Sequence, residues 1–325
     1  MHAASFSIIS IPPVQNAATH PLVVIAGPTG SGKSALALQL AGEFCGEVVN
    51  CDSVQIYRHF DIGSAKLPES ERRGIPHHLI DIAAPDELFT AGDYSRLARA
   101  ALLEITARGN LPIVVGGTGF YLRALLEGLF EGPPRDQPLR DRLAGREKKR
   151  PGSLHKLLAR LDPDSAARIH ANDHNKLIRA LEVILATRRP LTEMFARGRD
   201  PLAGYNVMKF GLNPPRDQLY RRIERRSQAM YDQGLVEETR AILAMGYTLQ
   251  CKPFESLGYA EALRVIQGEM TPEQAVAATA MATRRYAKRQ WTWFRREKDM
   301  LWIDSFGDDA AATAAPLILS WLRSG

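Results

Sequence analysis

The first clear pattern in the chain is an unbroken apolar run, Leu22 to Ala26, followed by a glycine-rich segment and then by ALALQLAGEF, whose apolar residues recur at helical spacing. Short strand-like stretches follow at Glu47 to Asn50, His78 to Asp81 and Leu111 to Val115, with a helix-like stretch from Ala91 to Arg108 between the last two. Strands that alternate with helices predict a parallel, doubly wound α/β sheet flanked by helices, with ligands bound beyond the C-terminal ends of its strands. Residues 132–204 break this rhythm. Pro133 and Pro134 open the stretch, helix-like segments follow at Leu154 to Leu161 and Lys176 to Ala186, and strand patterns vanish. That predicts a small all-helical insertion domain over 132–204, inside a core made of 21–131 and 205–325. Val207 to Leu212 returns the chain to the sheet, helices dominate from Pro215, and Leu301 to Asp304 is a last strand. Residues 1–20 carry no such pattern and are expected to be a poorly ordered extension.

The glycine-rich segment after the first strand reads GPTGSGKS, Gly27, Pro28, Thr29, Gly30, Ser31, Gly32, Lys33 and Ser34. Glycines there let backbone N–H groups converge on an anion, Lys33 adds a point charge, and the Ser34 hydroxyl suits Mg²⁺. A strand-loop-helix context makes the pattern specific for polyphosphate binding. ATP, GTP and any other diphosphate offer the same oxygens, so the motif leaves the ligand open.

Charge narrows the choice. The net charge is +6, concentrated in RRIERR from Arg221 and in Arg284 to Lys298, which holds seven basic residues against the single acid Glu297. Clusters of this kind suit a polyanionic partner larger than a nucleotide. Thr271, Pro272 and Gln274 start a helix with a capping box, and along it Arg284, Lys288, Trp291 and Arg295 share one stripe. Tyr286, Trp293 and Phe294 fall on the other side, so the expectation is a buried aromatic face and a basic, nucleic-acid-binding face that carries Trp291. Cys45, Cys51 and Cys251 have neither zinc-site nor disulfide-framework spacing and fit a reducing cytoplasm. The N-terminal segment has too short an apolar stretch for a membrane span.

Two strand ends supply candidate chemistry. Asp52 follows the second strand and reads as a Mg²⁺-associated carboxylate, a helix cap, or a general base beside the phosphates. Thr29 and Thr118 are hydroxyl donors in glycine-rich loops, serving either as structural turn residues or as donors to phosphate and base edges, and Arg226, four residues after Arg222 on a helix, either closes over a diphosphate or faces solvent.

Five segments in order, GPTGSGKS, DSVQIYRHFDIGSAK, GGTGFYLRALLEGL, ARIHANDHNKLIRALEV and ATRRYAKRQWTWFR, resemble the bacterial tRNA dimethylallyltransferases over about Leu22 to Trp302. The resemblance implies a P-loop NTPase-like fold and transfer of a dimethylallyl group from dimethylallyl diphosphate to N6 of the adenosine 3′ of the anticodon, in tRNAs reading codons that begin with U. It implies Asp52 as general base, Thr29 to Ser34 on the diphosphate with Ser34 on Mg²⁺, and Arg226 assisting the leaving group. Ser53, Val54 and Gln55 would line the tRNA entry, and Thr118, Arg140, Asn175, Lys176, Leu177, Ile178 and Arg179 match tRNA-contacting positions. A monomer without a membrane partner is expected. An isopentenyltransferase acting on free adenine nucleotides shares the phosphate loop and the Asp52-Ser53 pair but leaves the insertion and the basic helix unexplained. An ATP-hydrolysing nucleic-acid-binding protein is the third reading, against which stands the lack of a distinct catalytic Glu after a strand.

Overall fold

Residues 19–130, 132–196 and 198–324 are described by a computed structural model of the chain. Six strands, β1 (His20–Ala26), β2 (Gly46–Asn50), β3 (His77–His78), β4 (Leu111–Gly116), β5 (Tyr205–Leu212) and β6 (Met300–Ile303), form one sheet in the order β3-β2-β4-β1-β5-β6. Every neighbouring pair is parallel, with Val24 of β1 facing Val114 of β4 on one side and Lys209 of β5 on the other. The fully buried Leu22 to Ala26 explains the unbroken apolar run, since a central parallel strand has no solvent face.

The third strand is shorter than the expected His78 to Asp81. Leu79 and Asp81 adopt φ of 62° and 58°, left-handed values that take the chain out of the extended conformation after His78. Of the expected N-terminal extension, residues 1–18 lie outside the described residues, and His20 is already in β1.

The helices run in chain order as α1 (Lys33–Glu43), α2 (Ala91–Ala107), α3 (Gly119–Leu126), α4 (Gln137–Lys149), α5 (Ser153–Leu161), α6 (Pro163–Arg168) and α7 (His174–Thr187). They continue as α8 (Leu191–Ala196), α9 (Arg216–Asp232), α10 (Leu235–Ala244), α11 (Tyr259–Ile266), α12 (Pro272–Phe294) and α13 (Gly307–Ser324). The chain divides into two compact units, one running to Leu125 and resuming at Leu202, the other spanning Leu126–Pro201. In the larger unit, α1 and α13 bury Leu36, Leu40, Phe44, Ala314 and Ile318 against Val23, Ile25, Ile113 and Phe210 of the sheet. The smaller unit has its own core, in which Leu177, Leu181 and Ile184 of α7 pack on Leu143, Leu154 and Leu158. Both helix faces follow from apolar residues spaced three and four apart.

One buried charge pins the sheet edge. Glu47 of β2, 2% exposed, accepts hydrogen bonds from Arg108 at 2.9 and 2.8 Å and from Asn110 at 2.7 Å, and pairs with His78 at 2.6 Å. Burial pushes its pKa up, but these hydrogen bonds outweigh it and bring the carboxyl down to about 2. Because the folded value lies below the ordinary one, the stability Glu47 contributes is complete above about pH 4.5 and is lost as pH falls toward 2. Glu47→Gln is therefore expected to lower the unfolding free energy by about 1.5–3 kcal/mol near neutral pH, the range for hydrogen bonds to a charged group. In urea titrations across pH, that difference should shrink on acidification; a difference that stays constant down to pH 3 would contradict this account.

Candidate active site at the C-terminal edge of the sheet

The loops after β1, β2 and β4 emerge on the same edge because the three strands are parallel neighbours. After β1, Gly30 and Gly32 take φ of 81° and 87°, conformations open to glycine and strained for other residues. Gly32 also caps α1, which begins without a side-chain cap, so the amides of its first turn face outward as an anion site. Lys33 Nζ donates to the Pro28 carbonyl at 2.8 Å, within the same loop. Ser31 is fully buried, and its hydroxyl has no hydrogen-bond partner among the described residues. Ser34, the second residue of α1, is exposed.

After β2, Asp52 Oδ1 accepts the amides of Val54 at 2.8 Å and Gln55 at 3.3 Å, a local turn that fixes the carboxylate. After β4, Thr118 braces that turn: its hydroxyl accepts the Ser53 amide at 3.1 Å, and its own amide donates to the Cys51 carbonyl at 3.2 Å. From α9, Arg226 Nη1 reaches the Thr29 hydroxyl at 3.5 Å.

Two cavities open here. One of about 420 Å³ is lined by the phosphate loop, including Thr29, Lys33 and Ser34, together with Asp52, Arg222 and Arg226. The other, about 310 Å³, is lined by Thr29, Asp52, Ser53, Val54, Arg226, Thr283, Tyr286 and Arg289. Thr29, Asp52, Ser64 and Arg226 belong to both walls. The two cavities therefore meet at one carboxylate, one guanidinium and two hydroxyls.

The electrostatics match that division. Burial lowers the Lys33 pKa to about 8, partly offset by the charge of Asp52 and reinforced by Arg226. Burial also lowers the Arg226 pKa, again against the pull of Asp52. Two desolvated cations with one carboxylate leave the chamber positive and ready for an anion. Burial pushes the Cys51 thiol up to about 12 and the Tyr286 phenol up to about 12, so the thiol is no nucleophile and the phenol remains a hydrogen-bond donor.

Several sequence expectations need correction. Trp291 is 7% exposed and packs with Leu219, Ile223 and Ala287, because the apolar face of α9 takes it as a partner; it is not on an open basic face. Arg284 of the same stripe is tied to α9, ion-paired with Glu224 and stacked over Tyr220. Lys288 is exposed. In the smaller unit, Leu177 and Ile178 are buried in its core, so their side chains cannot meet an RNA. Arg140 and Arg179 both grip the buried Glu182, at 3.2 and 2.6 Å, while Asn175 is exposed and Lys176 pairs with Asp173 at the surface.

Other contributors escaped the sequence reading. Tyr286, assigned to the buried aromatic side, lines the smaller cavity with Thr279 and Thr283. Gln290 is buried one turn further on, its side chain bonded to both the β1 and β4 loops. The available signal was a polar stripe, Thr279, Thr283, Tyr286 and Gln290, repeating at helical spacing on α12.

The parallel sheet and the strand-GPTGSGKS-helix loop define a P-loop fold, with a carboxylate in the wall between the loop's cavity and a second one. The sequence profile of the family described as IPP transferase matches residues 55–297, and the chain belongs to that family. It is 63% identical over 288 residues to a tRNA dimethylallyltransferase of Solibacter usitatus, covering 89% of this chain and 94% of that protein. The crystal structure of a full-length tRNA isopentenylpyrophosphate transferase from Bacillus halodurans superposes with a TM-score of 0.69 at 37% identity, over 94% of this chain and 97% of that one. A eukaryotic dimethylallyltransferase caught acting on tRNA gives a TM-score of 0.81 at 28% identity, over 94% of this chain and 80% of that one. Among the described residues, no helix is long and apolar enough to cross a membrane.

The Lys33 environment carries a signed prediction. A diphosphate beside Lys33 favours the ammonium and raises its pKa from about 8, so binding above pH 8 must take up a proton and weaken as pH rises further. Calorimetry of alkyl diphosphate binding at pH 8.5, in buffers of different ionisation enthalpy, should show an uptake approaching about one proton that disappears near pH 6.5. Uptake equal at both pH values would refute the assignment.

Proposed function

We propose that this chain transfers a dimethylallyl group from dimethylallyl diphosphate to N6 of the adenosine 3′-adjacent to the anticodon, in tRNAs reading codons that begin with U. The observation that carries the reading is the trio Thr29, Asp52 and Arg226 in the wall shared by two cavities. A diphosphate in the larger cavity and a splayed-out adenine in the smaller would meet there. The relatives named as tRNA dimethylallyltransferases support the same transfer.

In this mechanism N6 attacks the allylic carbon, the carbon–oxygen bond to the diphosphate breaks, and the Asp52 carboxylate takes the proton that N6 must lose. An adenine amine is a weak nucleophile because its lone pair is delocalised, so a carboxylate at N6 lowers the barrier. Asp52 Oδ1 is engaged by two amides, which fixes the carboxylate while its second oxygen makes no hydrogen bond among the described residues. The leaving diphosphate gathers charge that the loop amides, Lys33, Arg226 and the Thr29 hydroxyl stabilise.

The residues suit Mg²⁺ in the manner usual for phosphate sites. No cluster of three His, Cys, Asp or Glu side chains is present among the described residues, whereas the exposed Ser34 hydroxyl adjoins the loop that would hold the diphosphate oxygens. Bound there through Ser34 and the substrate, Mg²⁺ would neutralise charge on the leaving group.

Ser53 and Val54 line the smaller cavity and would flank the base, whereas Gln55 lines the larger cavity and Thr118 would act by bracing the Ser53 amide. Lys288, Arg289, Asn175 and Lys176 are the exposed groups offered to the tRNA backbone. One tRNA per chain needs no symmetry, so a monomer in the cytoplasm is the working unit. No observation favours the free-nucleotide or ATP-hydrolysing alternatives.

Purified protein given Mg²⁺, labelled dimethylallyl diphosphate and unmodified tRNA without ATP should place label in the tRNA. Asp52→Asn, with an unchanged unfolding temperature, should slow transfer by about 10²–10⁴-fold, the usual contribution of a positioned base. Label passing to AMP but not to tRNA, or a wild-type rate in the variant, would sink the proposal.

A further inference from the structure

Gln290 is a neutral polar side chain only 5% exposed, about one turn before the end of α12. Burying an amide is costly unless both its ends are hydrogen-bonded, and here both are. Its Oε1 accepts the Thr29 amide at 2.7 Å, and its Nε2 donates to the Gly117 carbonyl at 2.9 Å. The two partners lie on different loops, one after β1 and one after β4. Gly117 must be glycine for this approach, since a Cβ there would stand 2.2 Å from Nε2. Nearby, a Cβ on Gly119 would stand 2.2 Å from the Trp293 indole nitrogen, so α12 rests closely on the whole loop.

We infer that Gln290 is a positioning residue for the transfer, joining the loop that carries the diphosphate to the β4 loop, which braces the turn holding the carboxylate. This rests on the reading of the phosphate loop as the diphosphate site. Each arm has a traceable end. With its amide held by Gln290, Thr29 directs its hydroxyl to Arg226 at 3.5 Å, on the leaving-group side. On the other side, Gly117 precedes Thr118, which holds the Cys51 carbonyl and the Ser53 amide on both flanks of Asp52. Gln290 thus sets the separation between the base and the leaving group. Displacing reacting groups by about 1 Å costs on the order of 10²-fold in rate, so a residue that touches neither substrate can still govern turnover.

The test uses the amide's particular donor and acceptor pattern. Gln290→Met keeps the volume and removes both hydrogen bonds; kcat should fall by roughly 10–100-fold while KM for tRNA stays within about threefold. Gln290→Glu gives a sharper signature. A protonated carboxyl reproduces both bonds, donating to Gly117 and accepting from Thr29, whereas the ionised form sets an oxygen against the Gly117 carbonyl. Burial favours the neutral acid, so the kcat ratio of Gln290→Glu to wild type should rise by about tenfold as pH falls from 8.5 to 6. Taking the ratio cancels the titration of groups the two proteins share. A flat ratio, or a Met variant that turns over at the wild-type rate, would overturn the inference. Direct binding of dimethylallyl diphosphate to wild type, measured by calorimetry without tRNA, separates the two layers: absence of binding overturns the diphosphate reading and this inference with it, whereas normal binding with a flat ratio overturns the inference alone.

Discussion

A loop that binds polyphosphate must keep backbone N–H groups unpaired and aimed at one point, and the rest of this molecule is arranged around meeting that demand. Unpaired amides are costly where water is excluded, so the loop needs support from outside itself. It is wedged from below on two sides. A Cβ on Gly27 would come within 2.9 Å of the Leu212 carbonyl at the end of β5, and one on Gly32 within 2.8 Å of the Gly307 amide at the start of α13. Gly307 in turn donates to the Ser31 carbonyl at 2.8 Å. The last helix of the chain therefore completes a loop built by its first thirty residues. That is a physical reason for the carboxy-terminal segment to return to the sheet.

What the sequence could reveal follows from which interactions are local. Buried parallel strands read as mostly apolar runs, so β1, β2 and β4 were visible, β5 and β6 showed through shorter apolar stretches that are only partly buried, and the glycine spacing after β1 pointed to an anion site. The Thr271 to Gln274 capping box is equally local and is present in the structure. The end of β3 was misread because nothing in HHLID announces the left-handed turns at Leu79 and Asp81. Trp291 was misread for a different reason. A helical wheel gives the angle of a side chain but not its neighbour, and only the docking of α9, with Leu219 and Ile223, decides that Trp291 is covered while Lys288 and Arg295 of the same stripe stay exposed. Arg140 and Arg179 show the same limit, since a single buried carboxylate, Glu182, collects two arginines that look free in the sequence.

The same helix, α12, shows why a binary reading of a helix into apolar and basic faces is incomplete. Its third stripe is polar and largely shielded. Thr279, 1% exposed, exchanges a hydrogen bond with Tyr231, and Tyr286 stays neutral beside Asp52. Polar groups buried in this way are tolerated only when satisfied, and their partners here are the walls of the reaction chamber. A helix that displays cations outward and hydroxyls and an amide inward links the surface suited to a polyanion with the loops that hold the reacting groups.

Charge balance completes the argument. Lys33 and Arg226 are both desolvated, and each feels Asp52 as the one nearby anion that favours its charged form. A carboxylate so placed serves as a counter-ion, favouring the charged forms of two cations that burial disfavours. In the proposed reaction a diphosphate would take over that role on binding, with more negative charge than Asp52 and with loop amides to share it. The carboxylate would then be released from neutralising the site and available to an amine in the adjoining cavity. As the diphosphate departed from carbon its charge would grow, and Lys33 and Arg226 would be the groups to meet it. On that proposal, the adjacency of base and phosphate loop gives one residue two jobs: it neutralises the anion site before substrate arrives, and it would accept a proton once the substrate had made that neutralisation unnecessary.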